Sequence, residues 1–444
     1  MNAQHSEALQ PTYPSGTESI RRAASRHEAN HLVQVRLRTI ISCAAIGGVF
    51  WCLYFAIGAQ LAEHNLLFND VFFHSDVRRV LDDMTLFHWR HSRTNIHPLF
   101  VLFTNPLGSV LSLWTGSPVT IAVLLNSFVG GLGIALAGSF LVSAGIPLRR
   151  AIILSVILGC SAGHLFFGSV PETYSFSALS IVLLFSAALK HPGSLRYFVP
   201  LGVLSFGILL TNLATAAIAF GSSLAPASFV RRNLWRTTEF AALVVALAIA
   251  LALVQKLVWQ ETTLFFDPAA YAGESRFVKV PDARRKGSER EFLLLRHVFA
   301  FDWFAPQLHS ASTRKREIEV RFEVDSLADL GASGRAGVAL WFALLLASGY
   351  LFISRRLYTQ PVSLGLFLGI LFNLALHSLY GDDLFLYACN TCFLVIAWAA
   401  LCTSEARLST WQNRAVDLGL LMLAAMQIAN NAQFVSSLVS LTHT

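Results

Sequence analysis

The sequence predicts an all-α polytopic membrane protein, and three observations carry that prediction. Hydrophobic residues make up 55% of the 444 and charged residues only 13%, about half the share of charge that a soluble domain carries. Mean hydropathy is +0.56. The apolar residues fall in runs close to the ~20 that a bilayer-spanning helix needs, punctuated by short polar turns. A formal charge of +7 suits basic inner loops facing anionic lipid, so nucleic acid is not needed as a partner.

Residues 1–39 form a polar, basic tail with Arg21, Arg22, Arg26, Arg36 and Arg38. The first apolar run, 40–62, is too long for a signal h-region and lacks a small-residue cleavage site, so it is expected to stay as an anchor with the tail cytoplasmic. Further spans are predicted near 118–145, 151–168, 173–190, 196–211, 213–230, 238–259, 337–354, 361–379, 384–402 and 415–434, about eleven in all. The pair meeting at Thr211-Asn212 also reads as one long kinked helix. Segment 99–115, broken by Pro106 and Gly108, reads as a lipid-facing surface helix or a re-entrant piece. The bundle thus covers 40–434, with a first external loop at 63–117, a large one at 260–336 and an external tail at 435–444.

Basic residues fix the orientation. With the tail inside, the inner turns hold Arg149-Arg150, Lys190 with Arg196, Arg231-Arg232 with Arg236, Arg355-Arg356, and Arg407 with Arg414. The outer turns at 169–172, 211–212 and 380–383 hold no basic residue, as the positive-inside rule expects. The six cysteines suit buried free thiols, and Cys389-x-x-Cys392 is one helix face without the strand-turn-helix context of a redox motif.

The acids then stand out. Asp76, Glu172, Asp382 and Asp383 all fall in turns that this orientation puts, with His97, on one side of the membrane. Ionisable groups are costly at the bilayer centre, and gathering them at one rim points to a site there. Val77, Val80, Leu81 and Met84 have helical spacing, so a short amphipathic helix lying on the membrane is expected. Asp76, Arg79 and Asp83 share its other face. Asp76 reads either as the helix cap or as a functional acid. Arg78, Arg79, Arg90 and Arg93 break the positive-inside rule. They read as a seat for a lipid phosphate, or as snorkelling side chains and partners of Asp82 and Asp83.

Ser169-x-x-Glu172 has the form of a capping box with Pro171 in the first turn, and a sugar or metal contact is its alternative. Adjacent Asp382 and Asp383 are costly to desolvate unless they bind a cation or pair with arginine. Gly381-Asp382 also reads as a plain turn and cap. Asn373 and His377, one turn apart, suit an interhelical hydrogen-bond pair. Gly130, Gly131, Gly133 and Gly138 suit close helix packing.

Asp76 in the first external loop, then His97-Pro98-Leu99 leading into apolar 100–115, then Ser169-Val170-Pro171-Glu172-Thr173-Tyr174, resemble the GT-C glycosyltransferases. These include the protein O-mannosyltransferases and the aminoarabinose transferase of lipid A. The resemblance covers roughly 40–190 and the turn near 380. The acid here is single, and His97 stands where several relatives have Lys. The resemblance implies an inverting hexosyl- or pentosyltransferase. It would move a sugar from a polyprenyl-phosphate donor to a glycan, lipid or protein acceptor of the cell envelope. The active face would be outward, in a bacterium on the inner (plasma) membrane. It implies Asp76 as the base, with Arg78, Arg79, Arg90, Arg93, His97, Glu172, Asp382 and Tyr387 around donor phosphate or substrate. A divalent cation (Mg or Mn) would use Asp76 and Asp383. The competing class is a transporter or lipid flippase, which usually shows paired repeats and broken helices with polar residues near midplane. A non-catalytic membrane scaffold is the third.

Overall fold

The structure, a computed structural model, describes residues 16–64, 66–67, 71–224, 230–278, 288–312, 318–322, 327–381, 383–404 and 409–440. Among them are fifteen α-helices. The first seven are α1 (Gly16–Glu63), α2 (Val77–Thr85), α3 (Phe100–Thr115), α4 (Pro118–Ser143), α5 (Leu148–Gly159), α6 (Ala162–Ser169) and α7 (Thr173–Lys190). Then come α8 (Leu195–Ile208), α9 (Asn212–Ser223), α10 (Val230–Val258), α11 (Ser288–Arg296), α12 (Ala332–Ser354), α13 (Pro361–Leu379), α14 (Ala388–Ser404) and α15 (Thr410–Ser440). One short hairpin, β1 (Leu308–Ser312) with β2 (Ile318–Phe322), pairs antiparallel. The chain separates into two compact units, Met1–Ser42 and Cys43–Thr444, and every element after α1 belongs to the second.

Among the described residues eight helices are long and apolar enough to cross a membrane, and the bent pair α5–α6 makes a ninth if it counts as one span. The chain is therefore a multi-pass membrane protein, with fewer full spans than the eleven predicted. Predicted span 151–168 is broken at Cys160-Ser161, where the helix turns by 66°. Ser161 caps α6 through the His164 amide, and the amides of Ala162 and Gly163 donate to carbonyls of Trp303 and Asp302. Predicted spans 196–211 and 213–230 become α8 and α9, of 14 and 12 residues. They separate at extended Leu209, where the Leu210 amide donates to Ile96 O and the Leu99 amide to Gly207 O. The turn expected at Thr211-Asn212 thus begins at Leu209, whereas apolar length alone could not foresee the break between α5 and α6, because distant backbone supplies the partners that make it tolerable.

Within the second unit α14 is the innermost span, with 89% of its apolar window buried against 22% for α10. The apolar face of α2 is buried, as its periodicity predicts. It packs against α3 and α4, and Asp82 and Asp83 are buried as well. Gly108 of α3 makes that possible, because a Cβ there would collide with the Met84 carbonyl. α3 turns Thr104, Asn105, Ser109 and Ser112 inward and leaves Leu107, Val110, Leu113 and Trp114 exposed. An apolar outer face over a polar inner one is that of a helix solvated by lipid.

Candidate functional site

The segment leading to Asp76 is held from both sides. The Phe73 amide donates to Val320 O (3.0 Å) and the Val320 amide to Val71 O (2.8 Å), which ties residues 71–73 to β2. Phe73 packs its ring on Phe166, Phe322 and Phe385. Phe73 and His74 have left-handed backbone, with φ of 50° and 55°, and Arg93 has φ of 58°. Such conformations cost bulky residues of order 1–3 kcal/mol and persist where the surroundings over-determine them. Three of the four non-glycine examples among the described residues adjoin one cavity.

That cavity, of about 390 Å³, is lined on one side by Asp76, Arg79, Arg93, His97 and Glu172. Tyr174, Phe277, Tyr380 and Tyr387 supply its aromatic wall. Asp76 stands at the N-cap position of α2 but makes no side-chain cap bond. Its Oδ2 instead accepts from Arg93 Nη1 (2.6 Å) and from Arg79 Nη2 and Nε (3.2 and 3.3 Å). Burial would raise this carboxyl, but Arg79 and Arg93 outweigh it and hold it below the usual carboxylate range. Asp76 Oδ1 has no protein partner among the described residues.

Arg79 is anchored from behind. Its Nη1 donates to Asp83 Oδ2 (2.9 Å), and Asp83 Oδ1 lies 3.0 Å from His91 Nδ1. Arg93 bridges two regions far apart in sequence, since its Nη2 donates to Glu274 Oε2 (3.3 Å) and its guanidinium lies over the Phe277 ring. Tyr380 also donates to Glu274 Oε2 (3.3 Å), and the Gly381 amide to Phe277 O (3.0 Å). The segment 274–277 thereby covers one side of the cavity.

Glu172 is almost wholly buried. Its Oε2 accepts from the Thr173 amide (2.9 Å) and its Oε1 from the Asp76 amide (2.7 Å), so one carboxylate joins the starts of α7 and α2. Burial and the charge of Asp76 lift its carboxyl to about 7, against Arg79 and the two amides, which favour the ionised form. The expected capping box is absent, because Ser169 closes α6 by donating to Leu165 O. His97 lines the cavity as a neutral ring: burial, with Arg79 next, pushes it down to about 3, and its Nδ1 donates to Ile208 O (2.9 Å).

The remaining candidates divide. Tyr387 lines the cavity, stacked on His377 at 3.7 Å. Asn373 gives its amide to Gly369 O within its own helix rather than to His377, so the expected pair does not form among the described residues. Arg78 pairs with Asp82 (2.8 Å) and Arg90 is exposed, and neither lines the cavity. Asp383 caps the 3-10 turn Leu384–Tyr387 through the Phe385 amide (3.0 Å) and does not line the cavity. Asp382 lies outside the described residues. The donor set does not suit a divalent cation. Two arginines occupy Asp76, two amides occupy Glu172, and no cluster of three or more His, Cys, Asp or Glu ligands occurs among the described residues. The sequence reading missed Glu274, Phe277 and Tyr380 as members of this site; the first two sit in a long loop without a motif. The chain matches no protein-family profile, no curated protein and no solved structure.

Proposed function

We propose that the protein is a GT-C-like membrane glycosyltransferase that moves a sugar from a polyprenyl-phosphate donor to an envelope acceptor on the outward face. The observation that carries this reading is Asp76, a helix-start acid that does not cap its helix and is instead held by two arginines in a cavity walled by aromatic rings. Arginine is suited to phosphate, and tyrosine to the faces and hydroxyls of a sugar.

In this mechanism the donor phosphate draws Arg79 and Arg93 away from Asp76. Losing those partners, the carboxylate becomes a stronger base beside the acceptor. The acceptor oxygen attacks the anomeric carbon, its proton passes to Asp76, and the bond from that carbon to the phosphate oxygen breaks. The leaving phosphate keeps the electron pair, and its charge is stabilised by Arg79 and Arg93. Attack opposite the leaving group inverts the anomeric centre. No step is routed through a metal.

A transporter is the second reading, favoured by the broken pair α5–α6 and by the break between α8 and α9. Mass spectrometry of envelope glycolipids, polysaccharides and glycoproteins separates the two. A deletion strain should lose one sugar, restored by wild type and not by Asp76→Asn. An unchanged glycan profile, with substrate crossing a proteoliposome unmodified, would replace the transferase by a transporter.

A further inference from the structure

A second cavity, of about 240 Å³, lies where the segment after Trp303 meets the end of α15. Its polar lining is Gln307, Asp329, Asn430, Gln433 and Ser437, with Phe434 beside them. The wall is fixed by an amide ladder. Asn431 Nδ2 donates to Cys160 O and Trp303 O, the Ala305 amide donates to Asn431 Oδ1, and Gln427 Nε2 donates to Trp303 O.

Asn430 is 4% exposed. Its Nδ2 is fully used, donating to Ala305 O and Asn431 Oδ1 (both 2.9 Å), while its Oδ1 accepts no hydrogen bond from any described residue. Gly334 keeps space beside that oxygen, since a Cβ there would run into it. That oxygen is therefore an acceptor open to the cavity, where a ligand or solvent can donate to it.

We infer that this cavity binds a neutral saccharide unit. Among the described residues no Lys or Arg lines it, which disfavours phosphate, and its amides, carboxylate and hydroxyl disfavour an acyl chain. Side-chain amides present donor and acceptor in one plane, the pattern that neighbouring sugar hydroxyls match. The volume is just below the ~300 Å³ at which pockets for drug-sized ligands begin, so one ring fits better than a longer molecule. A single aromatic wall separates this cavity from the first. Leu308 of the lining pairs with Phe322, and Phe322 packs on Phe73, Phe385 and Phe434. His74 and Leu386, the next residues after Phe73 and Phe385, line the cavity that holds Asp76. A role as the seat of an acceptor glycan rests on the transferase reading above; binding of the sugar itself does not.

The test is saturation-transfer NMR on the full chain in nanodiscs free of sugar-headed detergent. Glucose, galactose and N-acetylglucosamine are added singly. The expected result is transfer to at least one of them, with affinity on the order of millimolar for so small a ligand. It should fall at least tenfold in Gln433→Trp and in Ser437→Trp, two exposed positions where a large ring fills the cavity. Arg90→Ala, at an exposed residue that lines neither cavity, and added inorganic phosphate should leave it unchanged. Absence of transfer to all three sugars, transfer that survives both filling substitutions, or displacement by phosphate would each overturn the site. Sugar binding in a chain that never transfers sugar would overturn the transferase reading and leave the site standing. Normal transfer by filled variants that no longer bind sugar would remove the acceptor role.

Discussion

Asp76 and Asp383 occupy equivalent places, each one residue before a helical turn that follows an irregular segment, and they end in different roles. Asp383 Oδ1 accepts from the Phe385 amide, so Asp383 acts as a cap. Asp76 makes no such bond, because Arg79 lies one turn along α2 and the left-handed backbone of Arg93 returns a second guanidinium to the same oxygen. The Asp76 amide is meanwhile served by Glu172 from α7. The comparison teaches that a helix-start acid is a cap by default and becomes available for chemistry only when other parts of the chain supply it with different partners.

The sharpest way to break this contrast is to neutralise each acid in turn. Asp76→Asn should lower transfer by about 10²-fold or more, the scale of a lost general base. Asp383→Asn should stay within a few-fold of wild type, since Asn caps as well as Asp. Equal losses, read as initial rates of glycan product, would erase the distinction. Arg93→Ala comes next. With one cation gone, Asp76 should titrate closer to the ordinary carboxylate value, so the acidic limb of kcat/KM should move to higher pH. The donor KM should also rise, on the order of tenfold for a lost charge-assisted contact. An unmoved limb would mean that Asp76 is not the titrating base.

Smaller effects probe what holds the two acids in place. Gly108→Ala forces a Cβ against the Met84 carbonyl and should destabilise the protein by ~1–3 kcal/mol through overpacking. A thermal melt indistinguishable from wild type would show that α3 does not pin α2. Glu172 predicts a pH effect. Its carboxyl is raised from 4.5 to about 7 on folding, so between these values the folded chain binds more protons than the unfolded one. Stability should therefore decrease as pH rises through that window. Glu172→Gln should flatten the slope of melting temperature against pH, and an unaltered slope would assign it to other buried acids. Arg90→Ala should have the least effect, within about ±0.5 kcal/mol for an exposed residue and without change in rate.

How much of this was legible follows from where each signal resides. α2 and the buried faces of Val77, Val80, Leu81 and Met84 follow from helical periodicity, a local property of adjacent residues. The gathering of Asp76 and Glu172 was foreseeable from their turns and from the positions of the basic residues. Glu274 was not, because it joins Arg93 across 181 positions of sequence. The rejection of Arg78 likewise depended on which side of α2 meets the cavity.

The sequence by itself determined that this chain enters the membrane many times, where most of its apolar helices begin, and which turns collect its acids. Those properties depend on composition and on spacing within one helix, and the free energy of moving apolar side chains out of water enforces them locally. Tertiary structure alone decided that the helix breaks after α5 and after α8 are stabilised by distant backbone. It alone decided that Glu172 links α7 to α2 and that Asp76 faces two arginines. Each of these depends on donors and acceptors placed by separate segments. A hydrogen bond or ion pair is a matter of distance and direction, which spacing along the chain does not encode.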